Sequence, residues 1–292
     1  LIRAGQCVAV PTETVYGLAA DATNAESVAR IYAAKGRPSF NPLIVHVADR
    51  AMAERLGVFG PLASRISDHS RPGPLTIVVP RTADCPVASI ATAGLETIAL
   101  RMPAHPAMRS LITAAGVPLA APSANASGGV SPTKALHVLA SLDGRIGLVI
   151  DGGTCARGLE STIVRPMGDH VILLRPGPVT AEEISTALGV PVTGDLSGKI
   201  SAPGQLASHY APGKPVLLDQ SGPVEGAYMI GFGPGPCDYC LSRRSDLTEA
   251  AARLFDALHA GAASDCATIA VAPIPQDGLG AAINDRLARA AV

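Results

Sequence analysis

Short runs of β-forming residues, each cut off by Gly or Pro, alternate with helical stretches through the first two thirds of the chain. This alternation predicts an α/β or α+β fold with a twisted, mixed sheet. Residues 6–10, 43–47, 75–79, 97–100, 117–121, 147–150, 161–164 and 170–174 read as strands. A helix is predicted over 25–34, capped by Asn24, with Val28, Ile31 and Tyr32 on one face. Further helices are expected over 106–115, from Ser131 as N-cap with Pro132 at the first helical position, and from Thr180 through Leu188. The core has to be aliphatic, because hydrophobic residues make up 48% of the chain but aromatics only 3%, with no Trp.

Periodicity stops over 194–215, where Gly, Pro and Ser accumulate, and this stretch reads as a linker. Beyond it, strands over 216–219, 227–232 and 267–271 and helices over 247–260 and 281–291 form a smaller, Rossmann-like unit. The expected organisation is therefore a first domain over 1–193, a linker over 194–215 and a second domain over 216–292. A chain of 292 residues suits two moderate domains.

Several functional classes are disfavoured. With 23 basic and 24 acidic residues the net charge is −1, so any anion site is local. Despite a mean hydropathy of +0.30, no run approaches the ~18 apolar residues of a membrane span. No signal peptide is visible. The opening Leu1-Ile2-Arg3-Ala4-Gly5 reads like the end of a helix and predicts sequence before it. Six cysteines are scattered along the chain. Cys237 and Cys240 have CxxC spacing without a second pair, so they read as reduced thiols of a cytoplasmic protein rather than as zinc ligands.

Polar residues gather at the ends of apolar runs, where α/β proteins place their chemistry. Pro11-Thr12-Glu13-Thr14-Val15-Tyr16-Gly17-Leu18 is followed by Lys35-Gly36-Arg37-Pro38 and by Asn41-Pro42-Leu43-Ile44-Val45-His46-Val47. Lys35 and Arg37 either complement a helix C-terminus or clamp phosphate, with Pro38 and Pro42 stiffening the loop. His46 is a structural strand histidine or a cleft-facing hydrogen-bond partner. Arg101, closing a strand, suits a substrate carboxylate or a structural ion pair. The small-residue loop from Ala121 through Ser123 and Asn125 to Gly129 is a flexible turn or a nest of anion-facing donors, with Ser131 adding a hydroxyl. Ser161 opens a strand, and Arg175 closes another as a surface charge or phosphate ligand. A P-loop, a GxSxG elbow and an HExxH pair are all missing from the sequence. The cluster therefore looks built to position two reactants and neutralise phosphate rather than to form a covalent intermediate.

Taken together, these segments resemble the two-domain form of the YrdC-like family of threonylcarbamoyl-adenylate synthases. The resemblance rests on residues 11–18, 35–47, 74–79, 99–103, 121–125 with Ser131-Pro132, 159–164, 173–178 and 202–212. It implies a twisted YrdC-like domain with a central cavity, followed by a Rossmann-like domain. It further implies that ATP, L-threonine and bicarbonate give threonylcarbamoyl-AMP and pyrophosphate, with Mg²⁺ accompanying ATP and no tightly bound, protein-ligated metal. A partner transferase would pass the threonylcarbamoyl group to tRNA next to the anticodon, with at most weak tRNA contact by this chain and no membrane. Carried over by motif, the threonine side comprises Thr14, His46, Arg101, the backbone of Ala121, and Ser161. The nucleotide side comprises Lys35, Arg37, Asn41, Thr97, Ser123, Asn125, Ser131, Arg175, His209 and Tyr210, of which Lys35, Arg37, Ser123 and Asn125 carry the catalytic role. Residues 201–212 are expected to act as a lid. The competing readings are an RNA-binding module and a carbamoyltransferase of the hydrogenase-maturation type. Low charge and scarce aromatics weigh against the first, and missing acylphosphatase and zinc-finger segments against the second.

Overall fold

The computed structural model describes residues 1–37, 41–195 and 209–292. Among these residues, nine strands form one sheet: β1 (Val8–Val10), β2 (Gly17–Asp21), β3 (Ile44–His46), β4 (Leu75–Pro80), β5 (Thr97–Arg101), β6 (Leu119–Ala120), β7 (Thr162–Met167), β8 (His170–Arg175) and β9 (Val192–Gly194). Their spatial order is β1-β2-β6-β3-β5-β4-β7-β8-β9. Parallel and antiparallel pairs are mixed, as the strand–helix alternation predicts. Among the described residues, six α-helices accompany it: α1 (Ala25–Lys35), α2 (Arg50–Leu56), α3 (Pro61–Ser70), α4 (Pro106–Ala115), α5 (Ala135–Leu142) and α6 (Ala181–Leu188).

A second sheet, wholly parallel, runs in the order β10-β13-β11-β12. Its strands are β10 (Val216–Leu217), β11 (Ala227–Gly231), β12 (Tyr239–Cys240) and β13 (Thr268–Val271), packed against α7 (Leu247–Ala263) and α8 (Leu279–Ala290). A parallel sheet has to be covered by crossover helices. Ala251, Leu254, Phe255 and Leu258 of α7 and Ile283 and Leu287 of α8 supply that cover. Of the expected linker, residues 196–208 lie outside the described residues, as do most of the expected lid and Pro38.

Local chemistry explains where the helices begin. The Asn24 side chain accepts hydrogen bonds from the amides of Glu26 and Ser27. Thr180 and Glu183 form a reciprocal capping box at α6. The expected cap at Ser131 is not observed: α5 starts at Ala135 behind Lys134. The backbone before it is committed to tertiary bonds. The Pro132 carbonyl accepts from the Tyr16 amide at 2.8 Å, and the Thr133 carbonyl from the Cys155 amide at 3.0 Å. The strand expected over 147–150 reduces to a single bridge between Ala9 and Val149.

Strand register places the polar residues in a row. His46 on β3 lies opposite Arg101 on β5, and Arg101 lies opposite Thr76 on β4. Directly paired residues point to the same face, so these three polar side chains share one surface of the sheet.

Candidate active site

A cavity opens on that surface. Thr14, Arg37, His46, Arg101, Ala121, Ser123, Ser161, Arg175, His209 and Tyr210 line it, joined by Val15, Ile44, Pro122 and Glu160. Segments far apart in sequence thus meet: the loop before β2, the chain just after α1, the ends of β3, β5 and β8, the loop after β6, and the chain entering the second sheet.

Arg101 is 4% exposed and anchored by Glu13, whose carboxylate accepts from Nη2 at 2.7 Å. The other Glu13 oxygen accepts from the amides of Ala104 and His105. Burial alone would raise the Glu13 pKa, but the Arg101 charge and these hydrogen bonds hold it below the usual value. Nε of Arg101 reaches the Gly73 carbonyl, which leaves Nη1 without a hydrogen-bond partner among the described residues. Beside it, burial and the Arg101 charge depress His46 to about 3, so the imidazole is neutral. Its Nδ1 has no partner among the described residues. The Thr14 hydroxyl pairs with that of Thr12 at 2.8 Å, and the Ser161 hydroxyl with that of Thr76 at 2.8 Å.

Arg175 is fixed to the Ser161 carbonyl through Nε at 3.1 Å and Nη2 at 2.9 Å. Arg37 donates from Nη2 to the carbonyl of Pro42 at 3.1 Å. Burial, with Arg175 as a like charge, brings Arg37 down to about 10, still well charged at neutral pH. Three guanidinium groups therefore face one cavity, while its one carboxylate among the described residues is that of Glu160. Burial favours neutral Glu160, but the Arg286 and Arg175 charges and a hydrogen bond from Ser131 outweigh it and keep the group ionised. The balance of field is positive and suits polyanionic reactants.

The remaining predicted residues stand behind the wall rather than in it. Lys35 does not reach into the cavity. Its ammonium is buried and donates to the carbonyls of Ser123 and Asn125, both at 2.5 Å, so it pins the loop after β6. Burial, then the neighbouring Arg37 charge, lower its pKa well below the usual lysine value. Asn125 braces the same loop by donating to the carbonyls of Ala126 and Gly129. Asn41 accepts from Tyr32 Oη through its backbone carbonyl at 3.0 Å. Thr97 opens β5, at the opposite end from Arg101. Ser131 Oγ donates to Glu160 at 2.5 Å.

Sequence reasoning does not single out Glu13, Thr76, Glu160 or Arg286. Glu13 lies inside the Thr-Glu-Thr motif, and an acid there has Arg101 as its natural partner. Arg286 carries the clearest missed signal. It falls among Ala282, Ile283, Leu287 and Ala290 on the apolar side of a helix, where an unpaired arginine is rarely tolerated.

Residues 1–177 match the family model described as telomere recombination, and residues 179–292 that of the threonylcarbamoyl-AMP synthase C-terminal domain. The chain is 42% identical to the threonylcarbamoyl-AMP synthase of Bacillus subtilis, an alignment covering 100% of this chain and 91% of that protein. Against the synthase of Pyrococcus abyssi the identity is 38%, covering 99% and 91%. The crystal structure of P. abyssi Sua5 complexed with L-threonine superposes with a TM-score of 0.89 at 37% identity, over 99% of this chain and 92% of that one. The chain belongs to the threonylcarbamoyl-AMP synthase family, in the form that joins the telomere-recombination domain to the synthase C-terminal domain.

Proposed function

We propose that this protein is an L-threonylcarbamoyladenylate synthase, joining L-threonine, bicarbonate and ATP into threonylcarbamoyl-AMP with release of pyrophosphate. The observation that carries the reading is the gathering of Arg37, Arg101, Arg175 and neutral His46 in the lining of one cavity, in a chain that aligns end to end with such synthases. Neither an RNA-binding module nor a hydrogenase-maturation carbamoyltransferase is favoured by those full-length relatives.

The positions of the charges support the following chemistry. Nη1 of Arg101 is available to the threonine carboxylate, and Thr14, His46, the Ala121 backbone and Ser161 surround the rest of the amino acid. The threonine amine attacks the bicarbonate carbon, or CO₂ derived from it, and gives a carbamate with loss of water. A carbamate oxygen then attacks the α-phosphorus as the bond to pyrophosphate breaks. Arg37 and Arg175 stabilise the charge that builds on the phosphates, with Ser123, His209 and Tyr210 completing the nucleotide wall. Positioning and preorganised charge of this kind supply catalysis without an enzyme nucleophile. Mg²⁺ bound with ATP would neutralise the leaving pyrophosphate. Both oxygens of Glu160 are already engaged, so phosphate oxygens rather than protein carboxylates would hold the ion. The adenylate then passes, in the cytoplasm, to a transferase that modifies tRNA.

The test is pyrophosphate release by the purified protein, with each reactant omitted in turn. Release that requires threonine, bicarbonate and ATP together, without RNA, is expected. Release driven by carbamoyl phosphate instead of threonine, or dependent on RNA, would refute the assignment.

A further inference from the structure

Arg286 lies on α8, in the second unit, yet it is 0% exposed and its Nε donates to Glu160 of the cavity wall at 2.9 Å. Its guanidinium carbon also stands 5.5 Å from the centroid of the Tyr210 ring, another part of the wall. Nη1 is tied back to Asp285 at 2.7 Å. Tyr210 is backed by Phe255 of α7, centroids 5.4 Å apart, and adopts a left-handed backbone with φ of 66°. From the same helix, His259 reaches the carbonyl of Ser131 at 3.1 Å, and the Ser131 hydroxyl bonds Glu160. The second unit thus touches Glu160 directly through Arg286 and indirectly through His259.

A fully buried ion pair is a poor way to gain stability, since an apolar pair of the same volume often does as well. A buried pair placed in the wall of a reaction cavity serves geometry instead. Without Arg286, a carboxylate flanked by Arg175 would be free to neutralise that arginine's field rather than be held by a fixed partner, and the Tyr210 ring would lose its neighbouring cation.

We propose that Arg286 is a positioning residue for the synthase reaction, through which the C-terminal unit fixes Glu160 and Tyr210 and so completes the nucleotide side of the cavity. The proposal rests on the synthase reading. On this view the C-terminal unit supplies part of the active-site wall rather than an independent activity.

The experiment uses the full-length protein with Arg286→Met, Arg286→Lys, Glu160→Gln and the double variant Glu160→Gln/Arg286→Met. Thermal unfolding and threonine binding by calorimetry are measured beside steady-state pyrophosphate release. Displacement of the wall by about an ångström should lower kcat/KM for ATP about 100-fold in Arg286→Met. Threonine affinity should stay within about threefold of wild type, because Arg101 is anchored separately by Glu13. Arg286→Lys should recover part of the loss. The double variant should be no worse than the poorer single variant, since the two residues act as a unit. Unchanged ATP kinetics in Arg286→Met would overturn the proposal. So would additive losses in the double variant, or a loss of threonine binding that tracks a lowered Tm. Wild-type protein that binds no threonine would instead remove the synthase reading itself, which separates the two failures.

Discussion

Arg101 shows how one side chain is made ready for a ligand before the ligand arrives. Two of its nitrogens are committed to Glu13 and to the Gly73 carbonyl, so the guanidinium plane is set and little side-chain entropy remains to be lost on binding. Replacing it by Ala removes a charge-assisted contact worth ~2–4 kcal/mol. The KM for threonine should therefore rise far more than that for ATP. Because Arg101→Ala also strands Glu13, the companion variant Arg101→Lys, which keeps the charge but loses the fork, should show the same selective rise with a smaller change in Tm. Equal weakening of both substrates in a folded Arg101→Lys protein would contradict the assignment. The arginine is legible in the sequence because it closes an apolar strand. Its orientation is not, because the orienting carboxylate is 88 residues away.

At the scale of elements, the capped helices α1 and α6 and strands with β-branched runs are announced by the sequence, whereas α2, although capped by Asp49, and α3 are not among the expected helices. β2 reads Gly-Leu-Ala-Ala-Asp and is buried along nearly its whole length, so it shows neither alternation nor β-branched residues. The cap expected at Ser131 does not form because tertiary hydrogen bonds claim that backbone first. Lys35 reads as a phosphate ligand from its place at a helix end, whereas it is the loop after β6 that receives its ammonium. The two units approach each other closely at Gly158. With φ of 68°, it leaves no room for a Cβ, which would meet the α7 backbone 2.4 Å from the Ala252 Cα. Gly158→Ala should push α7 away and lower Tm, with overpacking alone costing ~1–3 kcal/mol. Pyrophosphate release should fall with it, since α7 carries Phe255 and His259. Gly147→Ala, where a Cβ meets nothing within 4 Å, serves as the neutral control. An unchanged Tm in Gly158→Ala would show that this contact does not hold α7 in place.

For the whole molecule, the two units come together at the reaction cavity. Glu160, Ser131 and Lys134 of the first unit are held by Arg286, His259 and Asp256 of the second. No periodicity in the sequence marks such contacts, because each joins residues more than a hundred positions apart. The residue types of the cavity are legible, while their division into wall, brace and anchor requires the fold. The central claim, that this cavity joins threonine, bicarbonate and ATP into one product, is tested most directly by mass spectrometry of the reaction mixture with ¹³C-bicarbonate. The account predicts an adenylate carrying threonine and a single ¹³C, absent when any one reactant is withheld. An adenylate of threonine without the label would contradict it.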